Sequence, residues 1–436
     1  MTRTEDAQRH GASAPALTDT TDSSASDIAL EQETVEPLLL DMPRDGVPEV
    51  IETLPALQRA ARAIAAGTGP VSVDAERASG FRYGQRAFLV QIRREGAGTW
   101  LIDPVPFENL AEIQDAIGDE IWILHAASQD LPCLAELGLA PSRLFDTELA
   151  ARIAGLPRVG LGPAVESLLG LRLAKEHSAA DWSTRPLPEP WLRYAALDVE
   201  VLDVLRLELI KILEADNKLE IAEQEFEAVR TAPPAPPRVD PWRRTSGLHQ
   251  IRERRTLAAV KNLWEAREAL AKSRDTAPGR LIPDSALIAA AKAMPTSVPA
   301  LLKTKGFHGR SASKDAPRWL KALQDARFAK DLPPNQVPSN APPPPRVWAD
   351  KDPVAAARLQ TARARIARIS ESMNIPLENL LTPDYLRRLS WRPPTVIDPD
   401  SIAQALEELG ARAWQIEILT PVITVAFLDP DELETR

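Results

Sequence analysis

Cysteine is nearly absent: Cys133 is the single one among 436 residues. One thiol cannot form a disulfide framework or a cysteine-based zinc site, and it fits a reducing, cytoplasmic compartment. Long apolar runs are missing too. No stretch approaches the roughly 18–20 apolar residues of a membrane span, so no membrane partner is expected. The first residues, Met1 to Ser24, hold no apolar signal core, so secretion is not expected. Nor is there an excess of positive charge. The chain carries 52 Lys and Arg against 62 Asp and Glu, a net charge of -10. Taken over the whole chain, that balance argues against a polyanionic partner.

Proline is plentiful, with 40 residues, and it punctuates the chain. At roughly 100–200 residues per domain, the length suggests about two to four domains. Residues 1–45 are rich in Ser, Thr, Ala, Asp and Glu without sustained periodicity and read as a disordered acidic tail. Residues 46–230 read as one domain. It opens with Ile51, Leu54, Leu57, Ala60 and Ile64 at helical spacing. Four β-rich runs follow, PVSVDAE, RAFLVQIRR, GTWLIDP and EIWILHAA, separated by turn residues. Helical stretches are expected near 104–118, 128–139, 146–154 and 160–170, and a helical run over 189–228 closes the domain. Strands first and alternating helices later predict a mixed sheet flanked by helices, an α/β fold. A proline-rich connector spans 231–241. Residues 242–330 read as all-α, 331–349 as a second proline-rich linker, and 350–428 as a second all-α unit. In the last, Ala355, Leu359, Ala362, Ile366 and Ile369 share one helical face.

Division of the chain changes the meaning of its charge. Residues 1–50 carry -8, 51–240 carry -10, 241–330 carry +12 and 331–436 carry -4. One strongly basic unit lies inside an acidic chain.

Three segments hold candidate chemistry. Asp74 and Glu76 end an apolar strand, and alternation places residues i and i+2 on the same face. A second apolar run, from Ile121, leads through His125 to Asp130 at a helix start. In the third, Tyr194 and Asp198 are four apart and share a helix face. Taken singly, each has an ordinary reading: a solvated strand end for Asp74 and Glu76, a helix N-cap for Asp130, a core aromatic with a satisfied hydroxyl for Tyr194. Four carboxylates brought to one point would repel each other and stay partly protonated without cations. Two divalent metals resolve that repulsion, and hard oxygen donors suit Mg²⁺ or Mn²⁺. A pair of such ions can activate water and stabilise the leaving oxygen of a phosphodiester.

With VDAE, HAASQDL and YAALD in that order, and DWSTRPL ahead of the last, residues 50–330 resemble the ribonuclease D family of the DEDD exonuclease superfamily. Tyr194 four residues before Asp198 matches the tyrosine branch; the other branch has a histidine where this chain has Arg193. The resemblance implies a ribonuclease-H-like catalytic domain and a two-metal 3′→5′ exoribonuclease releasing nucleoside 5′-monophosphates. It implies Asp74, Glu76, Asp130 and Asp198 as metal ligands, Asp74 bridging both ions, and Tyr194 orienting the attacking water. Arg77 stands where relatives carry an aromatic near the terminal nucleotide, and a guanidinium there can stack on a base or contact a phosphate. His125 reads as a buried structural histidine and Cys133 as a packed small residue. Asp181, Trp182 and Arg185 read as a brace for the site.

The basic unit resembles the HRDC domain through W-E-A-R-E, L-I-P-D-x-A-L, M-P-T-S and K-G-F within 257–307. That resemblance implies an auxiliary nucleic-acid binding bundle, with Arg252, Arg254, Arg255, Lys303, Lys305 and Arg310 as candidate contacts and salt-sensitive, sequence-independent affinity. Residues 350–428 look like a second, less basic HRDC-like bundle. The expected partner is RNA with single-stranded 3′ ends, tRNA precursors above all, with no obligate protein partner. The rival readings are a DNA 3′→5′ exonuclease of the same branch and a non-catalytic RNA-binding protein on a nuclease scaffold.

Overall fold

The computed structural model describes residues 36–174, 177, 179–307, 309–337 and 340–433. The tail expected over 1–45 falls largely outside the described residues, but its last part is a correction. Leu38–Leu40 forms a strand (β1) paired in parallel with Leu171–Leu173 (β8). A two-strand pairing of this length leaves no alternation to read, and its neighbours in space are about 130 residues apart in sequence.

The central sheet has six strands: β2 (Val50–Ile51), β3 (Thr68–Arg77), β4 (Ala87–Glu95), β5 (Gly98–Ile102), β6 (Ile121–Leu124) and β7 (Arg143–Asp146). Their spatial order is β2-β5-β4-β3-β6-β7. β3 and β4, and β4 and β5, are antiparallel; β2 on β5, β6 on β3 and β7 on β6 are parallel. The mixed sheet flanked by helices agrees with the expectation. Ile51 is a correction, because it belongs to β2 and the helix runs over Leu54–Ala65. The charged and polar residues of RLFD hid β7 from a reading by hydrophobic runs.

Alternation along β3 decides which residues reach the site. Val71, Val73 and Ala75 are buried on one face in the main core. Ser72, Asp74 and Glu76 take the other face. The helix Glu189–Glu200 packs on that second face, with Ala195 and Ala196 set against Phe88, Leu89, Leu101 and Trp182. Two alanines let its backbone approach the sheet closely, which brings Asp198 down onto Asp74 and Glu76.

The two helical units attach differently. Residues around Arg254–Arg274, Asp284–Ala293 and Ala316–Phe328 bury a core of their own, built on Leu257, Leu263, Leu287, Phe307 and Trp319. The helices Pro353–Met373, Pro383–Trp391, Pro399–Leu409 and Ala413–Leu428 have no separate core. Ile366, Leu386, Leu406, Trp414 and Phe427 join the same apolar cluster as Leu57, Val73 and Phe226 of the catalytic part. Trp348, placed by composition inside the second linker, is fully buried, has its ring 4.8 Å from that of Trp391 at a 45° tilt, and donates to the Pro343 carbonyl at 2.8 Å. The connection therefore ends in packed structure earlier than its prolines suggest.

Candidate active site

β3 delivers Asp74, Glu76 and Arg77, with a register shift between Glu76 and Arg77 that turns the strand end. β6 runs into Ala126, held at φ 60°, and on to Asp130. The helix Glu189–Glu200 supplies Tyr194 and Asp198 one turn apart. All five, with Arg77, line one cavity of about 650 Å³ that also includes Ser79, His125, Gln129 and Glu148. Carboxylate oxygens of Asp74, Glu76 and Asp198 lie within 4.8 Å of one another. Asp130 faces the same cavity and pairs with the Arg77 guanidinium at 3.2 Å.

Burial and mutual repulsion mark this cluster electrostatically. Burial raises Asp74 to about 6, against which the Ala75 backbone N–H and Arg77 act. Burial, then the charges of Asp74, Asp198 and Asp130, hold Glu76 well above the usual carboxylate range. Asp130 is pushed up to about 8 by burial and then by Asp74, with Arg77 opposing. Burial, and then the carboxylates of Asp198 and Glu76, raise Tyr194, which also hydrogen bonds Asp198. Its hydroxyl stays protonated and can donate. Four acids face one nearby cation. An all-oxygen donor set with that imbalance fits one or more hard divalent cations.

The cavity walls are braced. Arg185 places two donors on Asp103, at 2.5 and 2.8 Å, and others on the carbonyls of Phe88, Trp182 and Thr184. Trp182 is fully buried, with its ring 5.4 Å from Trp191 and 6.4 Å from Tyr194. Asp181 accepts from Ser183, which in turn accepts from Arg82. Cys133 is buried and its Sγ–H points at the Asp130 carbonyl; burial pushes the thiol up to about 12, so it is inert.

Of the residues expected to contact RNA, Arg77 stands in the cavity but is engaged by Asp130. Arg254 and Arg255 are engaged by backbone. Arg254 donates to the carbonyls of Leu332 and Pro333, and Arg255 to those of Ala326, Arg327 and Ala329. These guanidinium groups satisfy the carbonyls at and beyond the end of the helix Ala316–Phe328, a structural task that charge counting cannot distinguish from phosphate contact. Arg252, Lys303 and Lys305 are exposed. Arg310 lies in the helix Gly309–Lys314, and its side chain is outside the described residues.

Gln91 and the lining residues Gln129 and Glu148 escape a reading of the sequence. Gln91 stands opposite Asp74 in the β3–β4 register, is fully buried, and its amide has no partner among the described residues. Its only sequence signal is a polar residue inside the apolar run FLVQI.

Comparison with known proteins agrees with this geometry. Residues 48–214 match the 3′-5′ exonuclease family, 256–323 the HRDC domain, and 341–427 the 3′ to 5′ exonuclease C-terminal domain. The chain is 33% identical to ribonuclease D of Shewanella sp. over 307 residues, covering 68% of this chain and 75% of that protein. A crystal structure of a protein from Bifidobacterium adolescentis superposes with a TM-score of 0.82 at 39% identity, covering 90% of this chain and all of that one. Escherichia coli RNase D, described as an exoribonuclease involved in structured RNA processing, superposes with a TM-score of 0.61 at 26% identity, covering 83% of this chain and 98% of that one.

Proposed function

Because the chain belongs to the ribonuclease D family, we propose that its 3′→5′ exoribonuclease activity is carried by Asp74, Glu76, Asp130, Asp198 and Tyr194, with structured RNA precursors such as tRNA 3′ ends as substrates and nucleoside 5′-monophosphates as products. The observation that carries the reading is the meeting of Asp74, Glu76 and Asp198 within 4.8 Å beside Tyr194. The four carboxylates would hold two divalent cations, Mg²⁺ or Mn²⁺. Bound cations would polarise a water and stabilise the charge on the leaving 3′ oxygen.

The chain's own groups do the rest. Asp74 stands at the centre of the cluster, its charge felt by both Glu76 and Asp130, which suits a bridging ligand. The Tyr194 hydroxyl, kept protonated by its surroundings and bonded to Asp198, would orient the attacking water by exchanging that partner for it. Arg77 pairs with Asp130 at the cavity wall; were Asp130 to hold a cation instead, the guanidinium would be available to meet a substrate phosphate. Exposed Arg252, Lys303 and Lys305 on the basic unit supply phosphate contacts away from the reacting atoms.

The test uses end-labelled RNA and matching DNA with Mg²⁺, Mn²⁺ or EDTA. RNA shortens stepwise from its 3′ end, EDTA and Asp74→Ala abolish the activity, and Tyr194→Phe lowers the rate more than the RNA affinity. Internal fragments, or full activity in Asp74→Ala, overturn the reading.

A further inference from the structure

The sequence casts His125 as a structural residue of a strand end. In the structure it is half-buried and lines the same cavity as the carboxylates. Its Nδ1 lies 2.9 Å from the Thr147 hydroxyl. That hydroxyl has one proton and donates it to the buried Leu124 carbonyl at 3.2 Å. Toward His125 it is therefore an acceptor, so Nδ1 carries the ring proton. The Nδ1 edge faces the interior at Thr147, which is fully buried, so the Nε2 edge is the one left toward the cavity. Nε2 is then a lone-pair acceptor, and it has no hydrogen-bond partner among the described residues. Burial lowers the imidazole to about 4, which keeps it neutral. The charges around it are Glu148 and Arg152, and these pair with each other.

The residue is held in place by its surroundings. Asp146 accepts from the backbone N–H groups of Ala126 and Ala127, at 3.0 and 2.8 Å, and from those of Glu148 and Leu149. This fixes the left-handed turn at Ala126 directly after His125 and so fixes the ring. A rigid, neutral acceptor on the wall of a cavity whose charged lining is mostly carboxylate is suited to a hydroxyl donor on an uncharged part of the substrate.

We propose that His125 Nε2 accepts a hydrogen bond from a ribose 2′-hydroxyl of the strand threaded to the carboxylate cluster, and so makes the site prefer RNA to DNA. The inference rests on the exoribonuclease reading and names how that site recognises its sugar. A cation or phosphate oxygen is a poor alternative: the first would compete with four better ligands, and the second has no proton to give.

The test compares an RNA oligonucleotide with the same strand carrying 2′-deoxyribose at its last two sugars. Metal-dependent digestion of the all-RNA strand by the wild type checks the underlying reading separately. The wild type should lose roughly three- to tenfold in kcat/KM on the deoxy-ended strand, the effect of one neutral hydrogen bond. His125→Phe should digest both strands at similar rates, and His125→Gln, whose amide oxygen can accept, should keep part of the preference. The ¹⁵N resonance of Nε2 should move on adding 5′-AMP and stay still on adding 2′-deoxy-5′-AMP. A wild type indifferent to the deoxy sugars, or a His125→Phe variant that keeps the preference, overturns the proposal.

Discussion

Two helical units of similar size follow the nuclease sheet, and they are joined to it in opposite ways. The first has its own core and meets the nuclease part through a small polar clamp around the loop that follows β3. Arg280 donates to the Gly80 carbonyl at 2.6 Å and lies 3.9 Å over the Phe81 ring, the Ala277 N–H donates to the Phe81 carbonyl, and Asp275 accepts from the Tyr83 N–H and pairs with Arg82 and Arg86. The second shares one continuous apolar core with the sheet. Its joint is sealed by buried Glu225, which takes two bonds from Arg412 and one from Trp414 Nε1 at 2.8 Å. Gly155 adds a close approach: at φ +81°, an added Cβ would sit 2.0 Å from the Asn374 amide. The first unit is docked onto the nuclease domain and the second is built into it. A docked basic unit can guide a strand while folding alone; a built-in one sets the stability of the catalytic part.

The largest effect should come from breaking the built-in joint. Glu225→Ala leaves Arg412 without its buried partner and should cost about 3–5 kcal/mol. Chemical denaturation should show the nuclease part and the C-terminal helices losing stability in a single shared transition, with the first unit unaffected. Two separate transitions for sheet and C-terminal helices would break the comparison.

pH should separate the same two bodies. Asp74, Glu76 and Asp130 all have folded-state values raised above the ordinary carboxylate range, and they belong to the built-in body. Groups with raised values contribute stability that is present below about pH 4 and lost as pH rises through about 6 to 8. In EDTA the unfolding temperature contributed by these acids should therefore fall as pH increases over that window. Asp130→Asn should flatten the slope and raise the stability of the metal-free protein at pH 8, while removing activity. The transition of the first unit should not follow this slope.

Salt dependence tests the docked unit. Replacing Lys303 and Lys305 together by Ala should weaken RNA binding and reduce the slope of log K against log salt by about two, near one for each phosphate no longer neutralised. Turnover of a dinucleotide too short to reach both sites should be unchanged. The smallest effect is expected at the clamp. Arg280→Ala removes an exposed cation–π interaction and one hydrogen bond, together about 1–2 kcal/mol of docking. Its readout is a rise in KM for long RNA with kcat and the unfolding temperature of the nuclease part nearly unchanged.

Much of this architecture is legible from one sequence. The runs PVSVDAE, RAFLVQIRR, GTWLIDP and EIWILHAA become β3 to β6 because alternation and β-branched residues act locally. β1 and β7 are not legible, since a three-residue strand and a charged one show no alternation. The carbonyl partners of Arg254 and Arg255 are not legible either, because a guanidinium that closes a helix end and one that grips phosphate look alike in composition. Proline marks the second connection well, but not its end, because burial of Trp348 depends on Trp391 far along the chain.

By itself the sequence determined the chemistry available: which residues are acids, their faces on strand and helix, the placement of Tyr194 one turn before Asp198, and a +12 unit hidden in a chain of -10. Those follow from spacing, and spacing acts over a few residues. Tertiary structure alone decided which acids converge and by how much burial raises them. It also decided that His125 Nδ1 would meet the Thr147 hydroxyl, and that one helical unit would be docked while the other was built in. Each of these depends on contacts between residues far apart in the chain, made only when the sheet and its helices close on one another.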